Sequence, residues 1–218
     1  MDAVGPVVRT APTGGPQGQP LTREDLRLPA VELARRLIGV TLLCDGVGGE
    51  IVETEAYGRD DAASHSFRGP TLRNRSMFSG AGAVYVYRSY GLHWCFNIVA
   101  QDAGAVLVRA IEPQARLELM RHRRGRSDHL ADGPGRLAQA LGIDISHDGA
   151  DATVAPFVLL DRLREPRLEA GPRIGISRER DRLWRFGLKG SPWLSRRMPI
   201  CVEPAGNTAT SETAESPP

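Results

Sequence analysis

Two glutamates lie two residues apart in a mostly apolar segment, a spacing that places both side chains on one face of a β-strand. In residues 50–57 (EIVETEAY) the two-residue period puts Glu53, Glu55 and Tyr57 on the same face. A carboxylate beside an aromatic ring is partly desolvated, which raises its basicity and suits it to deprotonate a water. Acidic side chains in a strand also occur on solvent-facing edges, so that interpretation stays open at this point.

The segment after this strand adds further groups capable of acid–base or metal chemistry. Residues 58–83 are polar, rich in glycine and aperiodic, and they contain Asp60, Asp61 and His65. Together with the two glutamates, these oxygen and imidazole groups are ligand types for Mg²⁺ or Mn²⁺ in a phosphodiester-cleaving enzyme. Because no HxH, HxxxH or HExxH spacing accompanies them, we predict no metal site and keep a metal-dependent enzyme as the alternative.

A second pair of predicted strands, residues 84–89 (VYVYRS) and 92–99 (LHWCFNIV), meets at Tyr90-Gly91. Two-residue hairpin turns favour Asn-Gly or Asp-Gly, because both positions require φ > 0. A tyrosine at such a tip is unfavourable for the turn, and it projects into solvent unless a longer loop folds it back. One interpretation is therefore a wedge that enters a DNA groove and unstacks a base, with Arg88 near enough to hold a phosphate.

The same two strands carry aromatic and amide side chains on faces that can meet. Tyr85 and Tyr87 share one face of the first strand, and His93, Cys95 and Asn97 share one face of the second. If those faces meet, they offer a stacking surface beside an amide able to read a base edge. Aromatic strand residues taken singly are usually core residues, so this prediction depends on the pairing.

The positive charge is unusual in type rather than in amount. Lys and Arg total 28 against 26 Asp and Glu, for a net charge of +2, and Lys189 is the only lysine. Residues 109–126 and 173–197 carry local excesses of positive charge, which we interpret as two stripes able to face a polyanion. An ordinary solvated helix face is the alternative. Apart from the N-terminal amine, Lys189 alone could form a Schiff base.

Length and composition predict one globular domain. The chain has 218 residues, 41% hydrophobic and 25% charged, and it contains no apolar run of about 18 residues, so we expect no membrane span. Cys44, Cys95 and Cys201 are too scattered for a disulfide framework or a cysteine-rich zinc site. A protein of the reducing cytoplasm fits this cysteine usage.

The chain divides into two predicted tails and one folded segment. Residues 1–20 and 203–218 lack apolar periodicity and are predicted to be disordered, which leaves 21–202 as the domain. Helices are predicted at 29–38, 113–124 and 135–142, a hairpin loop at 45–49, and strands at 40–44, 50–57, 84–89, 92–99, 105–111, 156–160, 173–177 and 184–188. Because the strands come mostly in adjacent hairpins, we predict an α+β fold with a largely antiparallel sheet.

Seven separated stretches resemble the alkyladenine (3-methyladenine) DNA glycosylase family, in the family's order and across nearly the whole predicted domain. They are IVETEAY (51–57), ASHSFRG (63–69), LRNRSMF (72–78), YVYRSYGLHWCFN (85–97), VLVRAIEP (106–113), GPGRLAQALGI (133–143) and GSPWLSR (190–196). The resemblance implies a single mixed α+β domain around a curved, largely antiparallel sheet with a protruding β-hairpin, and it implies no cofactor.

The resemblance also implies roles for the residues that would act on the bond and on the duplex. Glu55 matches the general base that activates water. Arg109 matches an arginine near the catalytic water and the DNA backbone. Tyr90 matches the side chain that fills the gap left in the duplex.

Four further residues match the pocket for the extruded base. Tyr57 and His65 match residues that stack on this base and hydrogen-bond to it. Tyr87 matches a further aromatic side chain of the pocket. Asn97 matches the amide whose bulk and polarity disfavour guanine.

On this resemblance we expect a monofunctional DNA N-glycosylase of base excision repair that acts as a monomer on double-stranded DNA. It would extrude alkylated or deaminated purines, hydrolyse the N-glycosidic bond and leave an abasic site, at a cytoplasmic bacterial nucleoid or in a eukaryotic nucleus. A single lysine disfavours a lyase step through a Schiff base. Two alternatives remain: a nucleic-acid-binding module without catalysis, and the metal-dependent phosphodiesterase.

Overall fold

The computed structural model describes residues 16–199. Within that range the α-helices are α1 (Ala30–Leu37), α2 (Leu117–Arg124) and α3 (Pro134–Leu141). The strands are β1 (Thr41–Cys44), β2 (Val47–Tyr57), β3 (Val84–Ser89), β4 (His93–Val99), β5 (Ala105–Ala115), β6 (Phe157–Leu160), β7 (Leu168–Gly171) and β8 (Arg185–Leu188). Short 3₁₀-helices lie at Arg75–Phe78, Gln101–Ala103 and Ile145–His147. None of these helices is long and apolar enough to cross a membrane.

These strands form one antiparallel sheet, which confirms the predicted α+β class. The main strand order is β3-β4-β5-β2-β1-β6, and the β7–β8 hairpin joins the sheet through β8, which pairs with β2. β2 pairs with β5 along one edge, and with β1 and then β8 along the other. The strand that carries the two glutamates is therefore hydrogen-bonded on both edges, which fixes its backbone.

The β2–β5 ladder is irregular where it passes the two glutamates. It contains three register shifts, all between Gly48 and Thr54 on β2. At the last shift the pairing passes from Ala110 to Val108 on β5, so that Arg109 is the extra residue. Bulges of this kind bend a strand, increase its twist and re-aim side chains, and they are common beside active sites. The register shifts thus account both for the curl of the sheet and for the direction of the Arg109 side chain.

The two faces of β2 bury different kinds of side chain. On one face, the Thr54 hydroxyl donates to the Ala34 carbonyl of α1 (2.9 Å), and Ala56 belongs to the main apolar core. Glu53 and Glu55 alternate with these residues and are also fully buried. Both glutamates are therefore inside the protein. The alternative interpretation, in which they lie on a solvent-facing edge of the sheet, is wrong.

The helix predicted at 113–124 begins too early, because β5 continues to Ala115 before α2 starts. Pro113 pairs with Gly49 beside one of the register shifts, a place where a strand tolerates a residue without an N–H. Arg116 then adopts a left-handed conformation (φ 54°) that turns the chain into α2.

The strand predicted at 173–177 is also wrong, and the strand that precedes β8 is β7, which pairs with it. The Ile174 N–H donates to a carboxylate oxygen of Glu55 (2.7 Å), and the Arg173 side chain is buried in an ion pair with Asp61. The polar groups of this segment therefore bind side chains from β2 and the following loop. That is why its strand-like alternation does not extend the sheet.

The loop between β1 and β2 is shorter than predicted. Cys44 pairs with Val47 across a two-residue turn of Asp45 (φ 50°) and Gly46 (φ 73°). Both residues adopt the left-handed conformation that tight hairpins need. β2 therefore begins three residues before the predicted start at residue 50.

The predicted tails lie largely beyond the described residues. Residues 16–20 are described, and the Gln19 carbonyl accepts a hydrogen bond from the Asp161 N–H (2.7 Å). Residues 1–15 and 203–218 fall outside the described range, so the boundaries of the tails and of the domain stay predictions.

A buried ion pair fastens two loops to the end of β2. Arg173 donates to both carboxylate oxygens of Asp61 and to the Ala56 carbonyl (2.9 Å), and neither side chain of the pair has exposed surface. The guanidinium also lies 4.7 Å from the ring centroid of Tyr57 and 5.3 Å from that of Trp184. The pair thus holds the segment before β8 against the loop after β2.

Asp61→Asn should lower the free energy of unfolding by about 3–5 kcal/mol, because it leaves the Arg173 guanidinium buried without its counter-charge. Asp60→Asn is the matched control, since the Asp60 side chain is 83% exposed and its change should cost less than about 0.5 kcal/mol. Urea denaturation followed by circular dichroism measures both variants. Equal stability of the two would contradict the anchoring role.

Candidate active site

Six of the seven residues to which the family resemblance gave a role line one cavity of about 1040 Å³. They are Tyr57, His65, Tyr87, Tyr90, Asn97 and Arg109. They come from β2, the loop after it, the β3–β4 hairpin and β5, so elements far apart in sequence converge here. Pockets that enclose small ligands typically measure about 300–1000 Å³, so this one is large enough for a nucleobase.

Glu55 lies directly behind the wall of this cavity, with no exposed surface of its own. Its Oε2 accepts a hydrogen bond from the Tyr57 hydroxyl (2.8 Å) and pairs with Arg109 Nη1 (3.1 Å). Its Oε1 accepts from the backbone N–H of Ile174 (2.7 Å). All three donors belong to residues that line the cavity. The carboxylate is therefore one residue away from the space that a ligand would occupy.

Tyr57 is a fixed hydrogen-bond donor to this carboxylate. Burial, and then the negative charge of Glu55, raise the pKa of Tyr57 far above its usual value of 10. The Arg173 guanidinium over the ring opposes this shift without reversing it. The phenol is therefore protonated throughout the physiological pH range.

Two stacked tyrosines and a histidine form an aromatic wall of the cavity. The β3–β4 register places Tyr85 opposite Asn97 and Tyr87 opposite Cys95, so the two faces meet as predicted. The tyrosine rings lie 5.5 Å apart between centroids, with 25° between their planes. The His65 ring stands edge-on to Tyr87 at 4.5 Å, and its Nδ1 lies 2.8 Å from the Tyr85 hydroxyl. Burial raises the pKa of both tyrosines, so this wall is uncharged.

Asn97 presents a rigid amide beside that wall. The side chain is buried, and its amide nitrogen donates to the carbonyls of Tyr85 (3.0 Å) and Cys95 (3.4 Å). Because the nitrogen is bound to the backbone, the orientation of the whole amide is fixed. A ligand in the cavity meets a polar group that cannot rotate away.

The residue that positions His65 was missed from the sequence. The Asn74 amide nitrogen donates to the carbonyls of His65 (2.8 Å) and Gly69 (3.1 Å), and its oxygen accepts from the Thr71 N–H (2.6 Å). An asparagine that closes a loop through its side chain is a common turn device. Asn74 gave no signal of its own, because it is one polar residue in a polar loop.

Tyr90 projects from the tip of the β3–β4 hairpin and is 85% exposed. Tyr90 (φ 48°) and Gly91 (φ 68°) both adopt the left-handed conformation, and the Leu92 N–H donates to the Ser89 carbonyl (2.9 Å). Because Ser89 pairs with His93, the loop spans Tyr90, Gly91 and Leu92 and is one residue longer than predicted. It does not fold Tyr90 back, so that alternative is wrong. A side chain with a β-carbon is unfavourable at positive φ, so the hairpin keeps a protruding ring at a cost to its own stability.

Glu53 binds residues from several distant parts of the chain, and the sequence gave it a role only as a ligand in the metal-dependent alternative. It accepts hydrogen bonds from Arg109 Nε (2.9 Å) and Arg185 Nη1 (3.1 Å). It also accepts from the Ser195 N–H (2.5 Å) and hydroxyl (2.9 Å). Arg109 thus lies between two carboxylates, Glu53 and Glu55. Strand alternation placed the glutamates together, but Arg185 and Ser195 follow 132 and 142 residues later, beyond the reach of any local pattern.

The two basic segments are only partly surface stripes. Arg109, Arg173 and Arg185 are at most 6% exposed and pair with buried carboxylates, so the predicted stripes are wrong at these positions. Five other arginines line the cavity: Arg68, Arg73, Arg88, Arg178 and Arg196. Their charge favours a polyanion, such as the phosphate backbone of a nucleic acid, as the partner of this surface.

The carboxylates of the metal alternative are bound to arginines. Glu53 and Glu55 share Arg109. Asp61 pairs with Arg173 at the other end of the site. Among residues 16–199, no three His, Cys, Asp or Glu side chains form a group that could hold a metal ion.

We predict that His65 is neutral at physiological pH. Partial burial of the ring, and next the positive charge of Arg73, lower the pKa of His65 below 6.5. An NMR titration of the ring protons, assigned with His65→Gln, should give a midpoint below this value. A midpoint at or above 6.5 would contradict the placement of the ring against Tyr85 and Tyr87.

The same shift couples His65 to stability. Because the unfolded chain binds the proton more readily, stability should fall as the pH drops from 6.5 through the folded-state pKa of His65, and no effect is expected above 6.5. His65→Gln should remove this part of the pH dependence. Urea denaturation on both sides of pH 6.5 provides the comparison.

Comparison with known proteins confirms the resemblance seen in the sequence. The family model of methylpurine-DNA glycosylase (MPG) matches residues 24–192. A Nitrosospira multiformis protein with the provisional name 3-methyladenine DNA glycosylase is 54% identical over 177 residues, which cover 79% of this chain and 92% of the relative. A Rhodopseudomonas palustris (strain HaA2) protein of the same provisional name is 51% identical over 191 residues, 85% of this chain and 95% of the relative. The chain belongs to the methylpurine-DNA glycosylase family.

Proposed function

We propose that the chain excises 3-methyladenine and other alkylated purines from double-stranded DNA, as an enzyme of base excision repair. Family membership gives the reaction class, which is hydrolysis of the N-glycosyl bond of a damaged purine. The observation that carries the proposal in this chain is the buried Glu55 carboxylate, held by three donors directly behind an aromatic cavity.

The aromatic side chains that line the cavity suit a cationic base. An extruded purine stacks against Tyr57, His65 and Tyr87, all of which line the cavity. Alkylation of adenine at N3 or N7 gives the ring a positive charge, and uncharged aromatic faces attract cations. Extrusion costs a few kcal/mol, least for damaged or mispaired bases, so the extrusion step adds selectivity.

We assign to Asn97 the discrimination between adenine-derived bases and guanine. Its amide is buried, and two backbone carbonyls hold its nitrogen. Guanine carries an exocyclic amino group at a position where adenine has only hydrogen, and that group would press against the fixed amide. The rigidity of Asn97 therefore supports a preference for adenine-derived lesions.

Glu55 deprotonates the water that attacks C1′ of the sugar. A carboxylate offers about four acceptor positions, and Tyr57, Arg109 and Ile174 occupy three of them, which leaves one for a water. Since all three donors belong to residues that line the cavity, this water approaches Glu55 from the cavity side. A base held this rigidly needs little reorganisation when the reaction occurs.

The remaining chemistry concerns departure of the base and stabilisation of the sugar. A base alkylated at N3 or N7 departs as a neutral purine, so its release needs no proton. The sugar passes through an oxocarbenium-like state, which the negative charge of Glu55 stabilises. Deaminated purines such as hypoxanthine are uncharged and require protonation of the leaving base, so we expect them to be released more slowly.

Tyr90 fills the gap that the extruded nucleotide leaves in the duplex. The Tyr90 ring stands at the tip of a hairpin and borders the same cavity. When the protein docks on DNA, the cavity for the extruded base and the ring that fills the gap therefore reach the duplex together. Arg88 also lines the cavity, two residues before Tyr90, where it can meet a phosphate. These positions support the wedge predicted from the sequence.

The enzyme is proposed to be monofunctional and to act as a monomer. Lys189, the only lysine, is exposed after β8 and is not among the residues that line the cavity. A Schiff base with C1′ therefore has no lysine to form on at the site. The enzyme works where the chromosome lies, in the cytoplasm of a bacterium or the nucleus of a eukaryote.

Glu55→Gln should abolish release of 3-methyladenine from alkylated duplex DNA while DNA binding persists, because an amide cannot take the proton of the attacking water. Chromatography of released bases under single-turnover conditions, with EDTA present, measures the rate. The DNA strand should stay intact until alkali is added. Glu50→Gln is the matched control, because Glu50 lies on the same strand away from the cavity and the change is chemically identical.

The outcomes of this assay separate the candidate functions. Release by Glu55→Gln at the wild-type rate would remove Glu55 from the mechanism. Binding of DNA without base release by the wild type would favour the binding module. Loss of wild-type activity in EDTA would favour the metal-dependent phosphodiesterase.

Tyr90→Ser should weaken binding to a duplex that carries an abasic-site analogue by about 1–3 kcal/mol, the value of one base–aromatic contact. Leu92→Ser is the control, since it removes a second exposed apolar side chain (71% exposed) from the same tip and leaves Tyr90 in place. Fluorescence anisotropy gives both affinities. An unchanged affinity for Tyr90→Ser would show that this ring is not the plug.

A further inference from the structure

A second acid–arginine pair lies beside the pair that holds Glu55. Glu53 and Arg185 are both buried and meet at 3.1 Å. Arg109 links this pair to the base, because it contacts Glu53 at 2.9 Å and Glu55 at 3.1 Å. These four side chains, the charge quartet, carry two negative and two positive charges. The buried group is therefore neutral as a whole.

Arg185 is held in place independently of Glu53. Its Nε donates to the Pro172 carbonyl (3.1 Å), and its two terminal nitrogens donate to the carbonyls of Arg196 and Arg197 (3.2 Å each). In the β2–β8 ladder, Arg185 is also the register partner of Glu55. Its positive charge therefore stays next to the base when the side chain at position 53 changes.

The other groups that face the carboxylate of the base are uncharged or already paired. Tyr57 on β2, Tyr87 on β3 and Cys95 on β4 are protonated, since burial raises the pKa of each. In the segment before β8, Arg173 is neutralised by Asp61. The arginines that line the cavity beside this segment, Arg178 and Arg196, are exposed and screened by solvent, so the balance of buried charge at the base is decided within the quartet.

We propose that Glu53 and Arg185 are positioning residues that set the basicity of Glu55 by keeping its surroundings at charge balance. The inference rests on the proposed role of Glu55 as general base. Without Glu53, the quartet has an excess positive charge, which stabilises the ionised carboxylate, weakens it as a base and repels a cationic purine and sugar. Without Arg185, the excess is negative, and Glu55 binds a proton more readily.

The test is the pH dependence of single-turnover release of 3-methyladenine from alkylated duplex DNA. Glu53→Gln should move the acidic limb of the profile to lower pH, and Arg185→Gln should move it to higher pH. Each shift should be about 1–2 pH units, as expected for one charge about 7 Å away at an effective dielectric constant of about 20. The double variant restores neutrality, so its acidic limb should return close to the wild-type position.

Two substitutions that preserve the charge of the quartet distinguish an electrostatic effect from a packing effect. Ser195→Ala removes a hydroxyl that contacts both Glu53 and Arg109 but alters no charge, and Arg185→Lys keeps the charge with different hydrogen bonds. Both should leave the limb in place, even where the plateau rate falls. A merely structural role predicts reduced rates and stability in every variant, without shifts of opposite sign.

Unmoved limbs in Glu53→Gln and Arg185→Gln, with normal release by the wild type, would overturn this inference and leave the proposed function intact. A wild type that releases no alkylated base would overturn the proposed function and this inference with it. If Arg185→Gln does not fold, the comparison of Glu53→Gln with Ser195→Ala decides by the same shift.

Discussion

Arg109 lies between two carboxylates that have no exposed surface, and much of the architecture keeps that arrangement possible. Buried charges must be paired and hydrogen-bonded, because their transfer out of water otherwise costs several kcal/mol each. β2 supplies Glu53 and Glu55 at alternate positions, the bulge in β5 aims Arg109 at both, and β8 brings Arg185 to the far side. The curl of the sheet and the late β7–β8 hairpin therefore meet the same electrostatic requirement.

The cavity places uncharged aromatic faces in front of a buried negative charge. Its wall of Tyr85 and Tyr87 is uncharged, whereas the carboxylate of Glu55 sits behind the lining, where three donors fix both of its oxygens. A cationic ring in the cavity meets polarisable faces first and a fixed negative charge beyond them. Burial of the carboxylate away from bulk solvent strengthens each of these electrostatic interactions, because the local dielectric constant is low.

Local patterns in the sequence were sufficient for features formed by neighbouring residues. Strand alternation in EIVETEAY placed both carboxylates on one face, and unfavourable turn chemistry identified the exposed tip at Tyr90. Features formed by distant residues gave no such signal. Arg173 and Arg185 resemble every other arginine in the sequence, and only the family resemblance identified Arg109. The carboxylate partners of Arg109, Arg173 and Arg185 lie 56, 112 and 132 residues away. The RIGIS segment alternates like a strand, yet its polar groups are bound to β2 and the loop after it.

The N–H of Ile174 that binds Glu55 belongs to the main chain. Every amino acid except proline carries this donor, so position 174 can accept many side chains without loosening the carboxylate. The sequence at position 174 can therefore vary while the geometry around Glu55 stays the same. A different side chain at position 174 would reshape this side of the cavity, and with it the shape of ligand that fits, while the Glu55 carboxylate stays where it is.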